Sequence, residues 1–182
     1  MLNMDQTCQF SYRIVEEQPD DVPGIRKVNL AAFNSPGEAK IVDQLRDNCW
    51  IFISLVAKSE DKVIGHILFT PVQIITPDQR ALTGMGLAPL AVMTEFHGRG
   101  IGTALCREGI ERISMLGYPF VVVLGHSGYY PKFGFKPAKQ YNITCSFEDV
   151  LEEAFMIQVF DAEIMKTVTG TAYYRQEFNE IT

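Results

Sequence analysis

Gly98, Gly100 and Gly102 alternate with Arg99 and Ile101 between a strand-like run and a helical pattern. Glycine accepts positive φ and lets a ligand come close to the backbone, and the free N–H groups of a first helical turn attract anions. The segment His97, Gly98, Arg99, Gly100, Ile101, Gly102 and Thr103 is therefore a candidate cradle for a pyrophosphate, with positive charge nearby from Arg99, Arg107 and Arg112. The competing reading is a glycine-rich turn that only packs a helix on a sheet. Two other phosphate motifs do not fit. The spacing is G-x-G-x-G rather than the dinucleotide G-x-G-x-x-G, and the Gly-Lys-Ser/Thr ending of a Walker loop is absent.

Nucleophiles and metal ligands are less promising. Cys8, Cys49, Cys106 and Cys145 lie far apart, with no C-x-x-C pair and no histidine at ligand spacing, so they read as reduced thiols and no metal site is expected. Cys106 lies next to Arg107, but burial in the helix is its expected fate, and a thiol needs an activating base or charge to act as a nucleophile.

Positioning the glycine segment requires a strand before it and a helix after it. Residues 83–92 read as strand, yet they contain Pro89, which cannot donate a ladder hydrogen bond, so a bulge or local splay is expected there. Ile101, Leu105, Gly109, Ile113 and Leu116 then fall on one helical face, and Gly117 ends the helix just before Pro119. Residues 120–124 are continuously apolar and mostly β-branched, as a strand covered on both faces should be. Strand, glycine turn, helix and strand together describe a right-handed crossover between parallel strands.

Upstream, residues 10–15 suggest an edge strand, followed by an acidic loop through Gly24 and helices over 25–33 and 39–46, separated by the breaker at 34–37. Residues 51–57 and 63–69 form a hairpin across a polar turn. Downstream come an aromatic turn at 129–135, a strand at 155–160 and a tail at 170–178 whose pattern favours no element.

The 182 residues suit a single domain, and 47% hydrophobic with 21% charged residues is a globular composition. At this length folding buries roughly 70% of the unfolded surface, enough to need no disulfide or structural metal. A net charge of −6 argues against nonspecific nucleic-acid binding, which depends on Lys and Arg neutralising phosphates. Residues 95–140 nevertheless carry six bases against three acids, and 141–182 carry two bases against eight acids. No apolar run approaches the ~20 residues that span a bilayer. The first ten residues lack a signal peptide's basic and apolar regions, so a cytoplasmic protein without membrane partners is expected.

Leu90-Ala91-Val92 followed by His97-Gly98-Arg99-Gly100-Ile101-Gly102 resembles the acyl-CoA motif of the GNAT superfamily of N-acyltransferases, Gln/Arg-x-x-Gly-x-Gly/Ala. Gly100 and Gly102 fit, and His97 stands where the family usually has Gln or Arg. The stretch from Val123 through Gly125, His126, Tyr129, Tyr130, Pro131 and Lys132 to Phe135 resembles the family's tyrosine-containing segment, in detail that of its bacterial YhbS-like branch. The element order from about 10 to 160 fits as well. The resemblance implies an α/β fold with a mixed, mostly antiparallel central sheet flanked by helices, in which a bulged fourth strand and a parallel fifth strand splay apart to admit the pantetheine arm of acetyl-CoA. It further implies one domain over 1–182, with a core at about 10–160 and a C-terminal extension at 161–182.

By that resemblance the backbone of Leu90, Ala91 and Val92 would hold pantetheine, and residues 97–103 the pyrophosphate. Tyr130, four residues before Gly134, occupies the position of the family's general acid, and its phenol could protonate the departing thiolate. The competing reading makes Tyr129 and Tyr130 packing aromatics like Phe133 and Phe135. No Glu or Asp lies in 83–92 to act as general base, which leaves Glu38, His66, Glu95 and His126 open. The implied activity is metal-free transfer of an acetyl group from acetyl-CoA to a primary amine, on a small molecule or peptide, by direct attack in a ternary complex. The alternative is a non-catalytic acyl-CoA-binding module. The acceptor pocket would be built by residues 34–40 and the C-terminal region, and a homodimer is compatible with the sequence.

Overall fold

The computed structural model describes residues 10–33 and 35–181; Cys8 and Asn34 lie outside the described residues. The chain opens with β1 (Arg13–Glu16), α1 (Val22–Phe33) and α2 (Gly37–Asn48). Pro23 sits in the first turn of α1, where its missing N–H has no intrahelical partner to lose. The long strands β2 (Ile53–Ser59), β3 (Lys62–Ile75) and β4 (Ala81–Val92) follow, then α3 (Ile101–Met115) and β5 (Phe120–Leu124). The remainder comprises β6 (Lys136–Pro137), β7 (Ile143–Cys145), β8 (Phe155–Val159), a single turn α4 (Ala162–Met165) and β9 (Gly170–Tyr173).

The strands form one mixed sheet in the order β1-β2-β3-β4-β5-β8-β6, with β9 pairing to both β3 and β7. All neighbours on the main path are antiparallel except β4 and β5. Helix α3 crosses one face over Phe69, Leu87 and Val123, while α1 and α2 cover the other with Ile25, Val28, Ile41 and Leu45 against Val56 and Leu68. This is the mixed, helix-flanked sheet with a parallel pair that the sequence implies.

The expected irregularity at Pro89 is present. Register jumps from Ile67 opposite Leu90 to Phe69 opposite Leu87, so Ala88 and Pro89 together face Leu68 and the strand bulges. The Ala88–Pro89 peptide is cis. Parallel pairing of β4 with β5 covers only Met85–Leu87 against Val121–Val123. Beyond Leu87 the two strands part.

Two readings of the sequence are corrected. The strand expected to stop at Phe69 runs on to Ile75 through Pro71. Pro71 is tolerated because β2 reaches only as far as Phe69 and β9 begins only at Gln73, so on that side no partner awaits its missing N–H. The tail that favoured no element supplies β9, whose Ala172 is fully buried opposite Ile74, and a short 3-10 segment (Gln176–Ile181) that buries Phe178 against the α1–α2 side.

Candidate active site

A cleft of about 860 Å³ opens where β4 and β5 separate. One end is the glycine turn. Gly98 and Gly100 adopt φ of 74° and 77°, in the left-handed region that side chains with a Cβ disfavour, and a Cβ on either would meet nothing within 4 Å. The turn is open to a ligand rather than packed against protein. Gly100 caps α3, and the helix's first internal bond runs from the Ala104 N–H to the Gly100 carbonyl. Among the described residues the N–H groups of residues 98–103 have no hydrogen-bond acceptor. Six unspent donors around a helix N-terminus could receive an anion, and their arrangement suits a pyrophosphate.

The cleft's floor is the end of β4. Met93 N–H donates to the Ile64 carbonyl of β3, and strand alternation then turns the peptide groups of Val92 and Leu90 away from β3, into the opening, with Ala91 turned back toward it. Leu90 and Val92 line the cleft, whereas Ala91 is buried on the α1 side. The His97 ring folds back, with Nε2 2.9 Å from the Val92 carbonyl oxygen. His97, Gly98, Gly100, Ile101, Gly102 and Thr103 all border the cleft, while Arg99 stacks its guanidinium over Phe10, 4.5 Å from the ring centroid, and over Phe96. Arg99 brings its backbone to the turn and keeps its charge outside. Arg112 is likewise spent on Glu108 and Glu16.

Both tyrosines of the aromatic turn reach the cleft. Tyr130 is almost wholly buried and packs against Phe135 and Tyr129. Its ring lies where a Cβ on Gly125 would fall 2.5 Å from Cε2, so glycine at the end of β5 makes room for it. Burial, with Cys106 and Tyr129 as neighbours, pushes the Tyr130 phenol well above its usual value near 10. It stays protonated, as a proton donor must.

Tyr129 does something the sequence did not disclose. Its hydroxyl lies 3.0 Å from where a Cβ on Gly102 would stand, so it sits against the first turn of α3. Lys132 Nζ lies 3.7 Å from the Tyr129 ring centroid and 3.2 Å from Thr103 Oγ1, which places a cation beside the helix N-terminus. Its position three residues after Tyr129, on a 3-10 turn (Tyr130–Phe133), was the available signal. Cys106 is fully buried, and its thiol is pushed up to about 12, chiefly by that burial.

The candidate bases separate. His66 lies in the interior, where Asn29 Nδ2 is 3.1 Å from Nδ1 and Ser54 Oγ is 3.0 Å from Nε2. Because an amide nitrogen only donates, Nδ1 accepts and the Nε2–H donates to Ser54 Oγ; Ser54 in turn donates to Glu17, held by Arg46 at 2.8 Å. Glu95 is exposed and paired with Lys62 at 3.6 Å. Glu38 of α2 and His126 just after β5 alone of the four line the cleft. Among the described residues no group of three or more His, Cys, Asp or Glu could hold a metal, and no helix is long and apolar enough to cross a membrane.

Comparison with known proteins fits this geometry. Residues 13–138 match the acetyltransferase (GNAT) domain family. The chain is 35% identical over 164 residues to the uncharacterized N-acetyltransferase YhbS of Escherichia coli K12, covering 90% of this chain and 96% of the relative. Its fold is similar to that of the E. coli YhbS crystal structure in complex with CoA, with a TM-score of 0.86, 33% identity and 93% of each chain covered. It is also similar to a GNAT family acetyltransferase from Brucella melitensis in complex with acetyl-CoA, with a TM-score of 0.76, 32% identity, and 93% of this chain and 99% of that one covered.

Proposed function

The chain belongs to the GNAT acetyltransferase family, and on that premise we propose that it transfers an acetyl group from acetyl-CoA to a primary amine in a ternary complex, without metal. The observation that carries this reading is one continuous cleft that joins the unspent N–H groups of residues 98–103, the outward peptide groups of Leu90 and Val92, and the protonated phenol of Tyr130.

In this reading residues 97–103 hold the pyrophosphate and Leu90 and Val92 pair with the pantetheine amides, taking the place a fifth-strand partner would have. Ala91 contributes through its packing on the α1 side. The thioester then lies at the fork beside Leu87 and Tyr130. A neutral acceptor amine attacks the thioester carbon, a C–N bond forms, and backbone N–H groups at the fork polarise the carbonyl oxygen. As the C–S bond breaks, Tyr130 gives its proton to the sulfur, and the nitrogen's surplus proton leaves to water. Reprotonation of Tyr130 from solvent completes the cycle. A cytoplasmic location agrees with a cosubstrate of this kind.

Calorimetry with acetyl-CoA, CoA and ADP on the wild type and a Gly100→Val variant tests the site. Micromolar CoA binding that the variant loses is the expected result, and a folded wild type that ignores CoA would overturn the assignment. Release of free thiol with an amine panel separates an enzyme from a carrier. CoA binding with no turnover on any amine would favour the non-catalytic module.

A further inference from the structure

The cleft carries more than a donor site, and its remaining wall has a distinct chemistry. Ala32 and Phe33 of α1, Ile41 of α2 and Phe178 near the C-terminus supply it, and Leu124 faces it from the end of β5. Phe33 and Leu124 are large apolar side chains left 37% and 40% exposed at the rim, an arrangement usual where an apolar ligand is expected. Glu38 is the only acidic side chain among the described residues of the lining. One of its oxygens, Oε2, accepts from Ser35 Oγ at 3.0 Å, and Oε1 has no partner among the described residues. The hydroxyl fixes the carboxylate's position and leaves half of it to a ligand.

We propose that the acceptor is a monoamine with a hydrophobic body, whose ammonium pairs with Glu38 while its apolar part rests on Phe33, Ile41 and Phe178. The proposal rests on the acetyltransferase reading and names its substrate class. The acidic C-terminal segment does not supply this recognition. Its Glu152, Glu163 and Glu177 are paired with Lys139, Lys166 and Arg175, and none of its described acids borders the cleft. A single carboxylate in an apolar wall selects one positive charge and rejects a second, because an additional ammonium would be desolvated without a partner. Polyamines and lysine-rich peptides are therefore excluded on the same ground that admits arylalkyl and alkyl monoamines. Glu38 acts here in recognition; the bound ammonium must still release its proton to water before attack.

The test is free-thiol release from acetyl-CoA with phenethylamine, hexylamine, spermidine and a lysine peptide, on the wild type, Glu38→Gln, Glu38→Asp and Phe33→Ala. The monoamines should show kcat/KM at least tenfold above spermidine and the peptide. Glu38→Gln should raise the monoamine KM about tenfold or more with kcat within about twofold, Glu38→Asp should restore most of the loss, and CoA affinity by calorimetry should be the same in all three. Phe33→Ala should narrow the preference for monoamines. Spermidine or the peptide as preferred acceptor, or an unchanged KM in Glu38→Gln, would overturn the proposal and leave the acetyltransferase reading standing. Absence of both CoA binding and turnover in the wild type would instead overturn the underlying reading, and the proposal with it.

Discussion

His97 Nε2 lies 2.9 Å from the carbonyl oxygen of Val92, closing the glycine turn back onto the end of β4. A carbonyl only accepts, so this nitrogen carries the proton and the side chain works as an amide would at the same place. His97→Gln should therefore keep CoA affinity within about twofold, whereas His97→Ala should weaken it by about fivefold, the worth of one hydrogen bond of ~1 kcal/mol. Calorimetric titration of the two variants measures the difference. Equal affinities for both would show that the ring's bond is dispensable.

Gly100 holds φ at 77° with open space where a side chain would stand. Gly100→Val should cost about 1–2 kcal/mol of stability from the left-handed conformation alone, and its branched side chain should intrude on the donors around it. Thermal unfolding should show a modest fall in Tm, and calorimetry a loss of CoA binding that far exceeds it.

Tyr130 is kept protonated by burial, so its removal should strike the chemical step. Tyr130→Phe is expected to lower kcat by roughly 10²–10⁴-fold with CoA affinity unchanged. The wild-type rate should show no falling limb on the alkaline side up to pH 10, because the phenol does not ionise in that range. Stopped-flow thiol release over pH 6–10 checks both.

Folding carries His66 from 6.5 down to about 4, first because burial disfavours its charge, and further because of the nearby Arg46, with Glu17 opposing. The unfolded chain thus takes up a proton that the folded chain refuses. The neutral imidazole's contribution is fully present above about pH 6.5 and is lost as pH falls toward 4, a change of about 3 kcal/mol. Glu17, held below its usual 4.5 by Arg46 and Ser54 against the cost of its burial, extends the decline to lower pH. Denaturant melts between pH 7.5 and 4 should show the slope, and His66→Gln, with nothing to titrate, should lack it above pH 5.

Cys106 is a fully buried thiol pushed up to about 12, chiefly by that burial. Cys106→Ser removes the thiol with little change of size and should leave turnover within about twofold. An acyl-cysteine route would instead make this variant inactive, and mass spectrometry of the wild type quenched during turnover should find no acetyl group on the protein.

The crossover β4–α3–β5 was legible because each part has a local signature: period two with a proline, alternate glycines, then a helical stripe ended by Gly117. The helix does end there, with Gly117 at φ 80° and its N–H bonded to the Ser114 carbonyl. Pairings between distant segments were not legible. Nothing near Gly170–Tyr173 announces that it will lie against Ile75, and nothing near Phe178 announces that it will wall a cleft with Phe33. The same holds for side-chain direction. The sequence placed the charge of Arg99 beside the glycine turn, but the neighbouring aromatic rings of Phe10 and Phe96 draw its guanidinium elsewhere.

The parallel junction between β4 and β5 has a mechanical consequence. The sheet's two halves are stitched there by three residue pairs, against ten between β3 and β4. Tension applied across the sheet between β1 and β8 should part this seam before its neighbours along that path. A molecule wedged along the outward edge of Leu90 and Val92 lengthens the stitching and bears part of the load, so it would act as mortar in the wall it occupies. An optical-tweezers pull on the protein with and without CoA would read that added strength directly.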